Sequence, residues 1–217
     1  MSEPQEALTT SPAATAVLVT AGVLLAIIGR KVANNETTAI DANVRAVVQE
    51  HRTETLDVVV KPITLLSIPL TVVSATAALV WWLHQNGRED AALAIGLTPI
   101  VAAATGQSFT SLFRQHSPPD ATEAADGKTP EATFPSGHTT GVTAEALAIA
   151  YVLSREKLAS PATLAGLLAW PLVVGVSRIY RDRHWLSDIV AGWIAGIGVA
   201  SLAAVFYRAR TAPESSS

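Results

Sequence analysis

The sequence predicts an all-α protein, a bundle of six membrane-crossing helices with an interfacial amphipathic helix between helices one and two. Of its 217 residues, 49% are apolar and only 15% charged, where a soluble domain carries about 25% charged residues. Mean hydropathy is positive, at +0.35. The charges are also gathered into clusters, and the gaps between clusters match the roughly 20 apolar residues a helix needs to cross a bilayer core.

Met1–Ser11 holds Glu3 and Glu6 but no Lys or Arg, so it lacks the basic start of a cleaved signal and is expected to be an N-terminal tail. The six-helix domain is expected over 12–210. Residues 7–29 carry no Asp, Glu, Lys or Arg, and within them 13–28 are apolar all round, which predicts the first crossing. Between Arg30 and Lys61, Ile40, Val44, Val47 and Val48 recur at helical spacing among Asp41, Arg45, Gln49 and Glu50. One apolar stripe on a charged helix suits the membrane interface, with Thr38 and Asp41 as a candidate cap.

Further charge-free gaps at 62–87, 91–113, 158–177 and 189–207 predict four more crossings. A stretch over 132–154 qualifies apart from Glu145, which must face the bundle or water because charge at mid-membrane is costly. Residues 114–135 are rich in Pro, Asp, Glu, Ala and Thr and read as a loop; 211–217 read as a disordered tail.

Composition also excludes functions. A net charge of −3 gives no basic field for nucleic acid, and the absence of cysteine removes disulfides, thiol nucleophiles and Cys-based metal centres. Two polar clusters, 114–138 and 178–188, are separated by two crossings, so they share one side of the membrane whichever way the chain inserts. In the first, Pro135 and the good N-cap Ser136 precede Gly137 and His138 at a helix start, where free N–H groups suit a phosphate. In the second, His184 and Asp188 are four apart and can touch on one helical face, and Arg178 offers a fork of donors to an oxyanion. Ordinary capping and a juxtamembrane basic patch are the bland alternatives. An anion is a better match than a metal, because cations crowd the site.

Pro135-Ser136-Gly137-His138, with Ser177-Arg178, five residues, His184, three residues and Asp188, resembles the second and third signature motifs of the type 2 phosphatidic acid phosphatase and haloperoxidase superfamily, in its membrane lipid phosphatase branch. The resemblance runs from about Ile40 to Ala204. It implies that His184 attacks phosphorus to form a phosphohistidine, that Asp188 orients it, and that His138 protonates the leaving lipid oxygen. Arg178, Ser136, Gly137 and Arg114 would hold the phosphoryl oxygens, with no metal or other cofactor. The family's first motif, Lys, six residues, then Arg-Pro, is degraded. With Arg114 in the arginine place, Gln107 stands for Lys and Gln115 for Pro; a register two residues later brings Phe109 and His116 to those places instead. Lys128, Arg181 and Arg183 are candidates to restore the lost charge.

The implied function is hydrolysis of a lipid phosphomonoester or prenyl diphosphate such as undecaprenyl diphosphate, by a multi-pass protein of the cell membrane with its site on the outer face. The implied partners are the lipid substrate and the bilayer, with no nucleic acid. Charge alone leaves the orientation open. A lipid phosphotransferase, or a non-catalytic transporter or scaffold that kept the fold, are the alternatives. Glu145, seven residues from His138 and about 10 Å below it by helical rise, is expected to line a lipid cleft or bond a neighbouring helix.

Overall fold

The computed structural model describes residues 12–113 and 134–212, all of whose regular structure is helical: α1 (Pro12–Ala33), α2 (Thr38–Glu50), α3 (Glu54–Leu66), α4 (Pro69–Gln85), α5 (Glu89–Leu112), α6 (Gly137–Arg155), α7 (Pro161–Tyr180) and α8 (Leu186–Thr211). The expected N-terminal tail, most of the C-terminal tail, Arg114, Gln115, His116 and Lys128 lie outside the described residues.

Four helices, α1, α5, α7 and α8, are long and apolar enough to cross a bilayer. A fifth candidate span is a bent helix pair. Where 62–87 predicts one helix, α3 and α4 meet at 51°, because Pro69 pushes Ile68 out of the helical region (φ −67°, ψ 149°). Helix α6, expected as a further crossing, is less apolar than these and is not among the helices long and apolar enough to span on their own. It buries Thr139, Thr140, Thr143 and Glu145, so it is shielded by its neighbours rather than by its own composition.

Large apolar side chains face outward, among them Val19, Val58 and Leu70 at 61%, 73% and 74% exposure. A coat of that kind needs lipid around it. Trp81 and Trp82, near the end of α4, are exposed too, as expected of rings at a membrane boundary. The chain is a multi-pass integral membrane protein.

At the centre α6 lies along α8, with α1 and α5 packed on α8 and α7 on α6. The contact depends on two glycines four apart. A methyl group at Gly192 would sit 2.9 Å from Thr139 Cβ, and one at Gly196 would collide with Thr143 Cβ and come within 2.8 Å of the Thr140 carbonyl. In lipid, close backbone approach through small residues drives helix association. The end opposite the polar clusters is closed by Leu83, Ala91, Ile95, Val152 and Tyr207. There Arg88 pairs with Glu156, which also accepts the Tyr207 hydroxyl proton at 2.5 Å.

Helix α2 turns part of its apolar stripe outward, as an interfacial helix does, and also seats polar side chains against the bundle. Ile40 and Val47, from the apolar stripe, are exposed, whereas Asp41 is buried and Arg45 and Gln49 are half-buried. Val44 and Val48 are half-buried beside them, so the outward part of the stripe is Ile40 and Val47. The expected cap residue Thr38 is the first helical residue; the N-cap position falls to Thr37, which has helical backbone angles (φ −92°, ψ −13°) and makes no side-chain cap.

Candidate active site

The described part of the first polar cluster, 134–138, meets the second at one end of the bundle. The Ser136 backbone N–H donates to the Asp188 carbonyl at 3.1 Å, joining the start of α6 to the first turn of α8. Ser136 caps α6, its hydroxyl accepting from the Thr139 N–H at 3.3 Å and the Thr139 hydroxyl at 3.0 Å. Gly137 is exposed, and a Cβ added there would meet nothing within 4 Å. The space over the helix terminus is open, where an anion would meet its N–H groups.

His138 occupies the first turn of α6, within electrostatic reach of Arg178, Arg183 and His184. His184 precedes α8. Its Nδ1 lies 3.2 Å from Oδ2 of Asp188, a residue with no exposed side-chain surface. The same oxygen accepts the Trp185 N–H at 3.0 Å, so Asp188 caps α8 while fixing the imidazole. With Nδ1 held by the carboxylate, Nε2 is the ring nitrogen left to act as a nucleophile or base.

Arg178 is near the C-terminal end of α7, where the helix dipole favours a cation. It is buried; Nη2 donates to the Ser67 hydroxyl at 3.3 Å, and Nε has no partner among the described residues. A buried guanidinium with an unused donor is matched to an oxyanion. Ser67 sits in the bend between α3 and α4, so the broken span delivers the hydroxyl that steadies Arg178. Gln107, from the degraded first motif, is exposed on α5.

Sequence reasoning missed what holds the turn carrying His184. Arg45 donates from Nε and Nη2 to both oxygens of Asp182, at 2.8 and 2.7 Å. One helical turn back, Asp41 accepts the Ser187 N–H at 2.9 Å and its hydroxyl proton at 2.8 Å. One turn forward, Gln49 donates to the Tyr180 carbonyl at 3.3 Å. These three side chains of α2 bracket residues 180–187. The pair at Asp182 also holds a non-glycine residue at φ 54°, a left-handed conformation that costs about 1–2 kcal/mol. The signal was the spacing of 41, 45 and 49, a polar stripe at helical period beside the apolar one.

Among the described residues, no three His, Asp or Glu side chains are placed to hold a metal ion. The arrangement offers donors and a positive field to a tetrahedral anion, with an oriented imidazole beside it.

No curated protein matches the chain. The fold superposes on the crystal structure of a transmembrane PAP2-type phosphatidylglycerolphosphate phosphatase from Bacillus subtilis with a TM-score of 0.69 at 19% identity, covering 86% of this chain and 93% of that one. It superposes on LpxE from Aquifex aeolicus with a TM-score of 0.58 at 22% identity, covering 75% and 93%. These likenesses are ones of fold. The family model of the PAP2 superfamily matches residues 91–212, more than half the chain, including both halves of the polar site. The chain belongs to the PAP2 superfamily.

Proposed function

We propose that the protein is a lipid phosphate phosphatase that works through a phosphohistidine. The Nε2 lone pair of His184 attacks phosphorus as the P–O bond to the lipid breaks, and His138 gives its proton to the departing oxygen. Water then attacks the phosphohistidine, losing a proton to His138 and releasing phosphate. Arg178, the Ser136 hydroxyl and the N–H groups from Gly137 onward stabilise the charge that builds on the equatorial oxygens; Arg114 is a further candidate. Asp188 holds His184 in the required tautomer. Positive charge comes from side chains and a helix terminus, so the scheme needs no metal.

The observation that carries this reading is the His184–Asp188 contact, made by a residue whose own carbonyl receives the Ser136 N–H. Nucleophile and anion cradle are thereby one unit. A site in the outer face of the cell membrane, taking headgroups from that leaflet, completes the proposal. The test is phosphate release from phosphatidic acid, phosphatidylglycerol phosphate and a prenyl diphosphate in the presence of a chelator. Turnover of at least one is expected, with a loss of about a thousandfold or more in His184→Ala. Strict dependence on added divalent metal, or full activity in that variant, would overturn the mechanism. Phosphate appearing on an added alcohol in place of water would convert the assignment to a phosphotransferase.

A further inference from the structure

Glu145 is not part of the phosphate site, yet it is placed as a ligand-binding group. It lines a cavity of about 480 Å³ whose other walls are nearly all apolar, including Val72, Leu79, Ile149, Leu167 and Trp170. Glu145 is 3% exposed. Thr76 on α4 donates to Oε2 at 3.2 Å, while Oε1 has no partner among the described residues. A buried polar atom without a partner has lost its hydration uncompensated, and a hydrogen-bonding guest would recover that loss.

The cavity is placed for the tail side of a substrate. Val142, one helical turn below His138, lines it, as does Leu66, the neighbour of the Ser67 that holds Arg178. Its wall residues Leu66 and Ala75 are exposed on the outside of the bundle, giving a chain a route in from the bilayer. Glu145 is about 10 Å below His138 by helical rise, and its side chain leans back toward the helix N-terminus. That is the depth at which an acyl lipid carries its ester or hydroxyl linkage, whereas a prenyl phosphate has only hydrocarbon there.

We propose that this cavity receives the chain of a lipid phosphate and that Glu145 hydrogen-bonds the polar group linking chain to headgroup, selecting acyl over prenyl lipids. This rests on the lipid phosphatase reading above. Oleoyl lysophosphatidic acid and geranylgeranyl monophosphate make the test, each with one chain and one phosphomonoester but only the first with an ester and a hydroxyl. For Glu145→Leu, KM for lysophosphatidic acid should rise about tenfold with kcat within about twofold. Geranylgeranyl monophosphate and water-soluble p-nitrophenyl phosphate should be hydrolysed as by the wild type. Glu145→Gln, which keeps hydrogen-bonding capacity, should recover most of the loss. Unchanged KM for lysophosphatidic acid, or equal losses on all three substrates, would overturn the proposal. If the wild type hydrolyses neither these nor any lipid of the panel above, the phosphatase reading fails by itself. Native mass spectrometry of the detergent-purified protein then decides the lipid site: preferential retention of lysophosphatidic acid, lost in Glu145→Leu, supports it, and equal retention of both lipids refutes it.

Discussion

The two histidines are mounted in opposite ways. His138 rides on α6, whose position is set by backbone-to-backbone closeness with α8 at Gly192 and Gly196. No charge takes part in that contact. His184 stands on a short turn between α7 and α8, and its placement depends on α2 through two oxygens of Asp182 and two of Asp41. One mount is steric and continuous with the core. The other is electrostatic, local and at the bundle's end. Steric seating tolerates no added atom but is indifferent to salt or charge; a polar bracket can be loosened without dismantling the fold.

The largest expected effect tests the steric side. Gly196→Leu drives a side chain into Thr143 and the Thr140 carbonyl, so α6 must leave α8. The expected outcome is loss of monodisperse, folded protein in size-exclusion and thermal-unfolding measurements, well beyond the about 1–3 kcal/mol of ordinary overpacking. A folded, active Gly196→Leu variant would show that the helices are not held as described.

The electrostatic side should break more gently. Arg45→Ala is expected to lower kcat about tenfold or more, with KM little changed and the protein still folded. Exchanging the partners, in Arg45→Asp with Asp182→Arg, should restore part of the activity. Asp182 adds a finer distinction, because both its charge and its backbone angle matter. Asp182→Gly loses the pair but relieves the left-handed strain, and Asp182→Ala loses the pair and keeps the strain. The glycine variant should therefore unfold at the higher temperature. The reverse order would mean that the φ of 54° is not being enforced.

The smallest effect is a control. Asp90 pairs with Arg210 at 2.8 Å at the opposite end, on a partly exposed surface. Exposed pairs contribute about 0–1 kcal/mol, so Asp90→Ala should leave both melting temperature and turnover nearly unchanged. A large loss of activity would mean the two ends of the bundle are coupled.

Much of this was legible in the sequence. The charge gaps located four spans, α1, α5, α7 and α8, and counting crossings puts the two clusters on one side, as the Ser136–Asp188 bond has them. The four-residue spacing of His184 and Asp188 predicted a contact that exists. What was not legible has physical reasons. The break at Ser67-Ile68 hides in an apolar run, because hydropathy does not register a change of direction. The seating of Asp41 and Arg45 depends on partners 146 and 137 residues away, which no local window contains. Arg114 was proposed for the phosphate cage and lies outside the described residues, so the degraded first motif keeps only exposed Gln107 in view.

The bond from the Ser136 N–H to the Asp188 carbonyl has a mechanical consequence. It leaves no joint between the residues that would receive the headgroup and the residue that steadies the attacking ring. A pocket fastened across its own midline cannot work like a pair of jaws. On the proposed mechanism, the lipid brings its headgroup to an imidazole already seated beside the cradle.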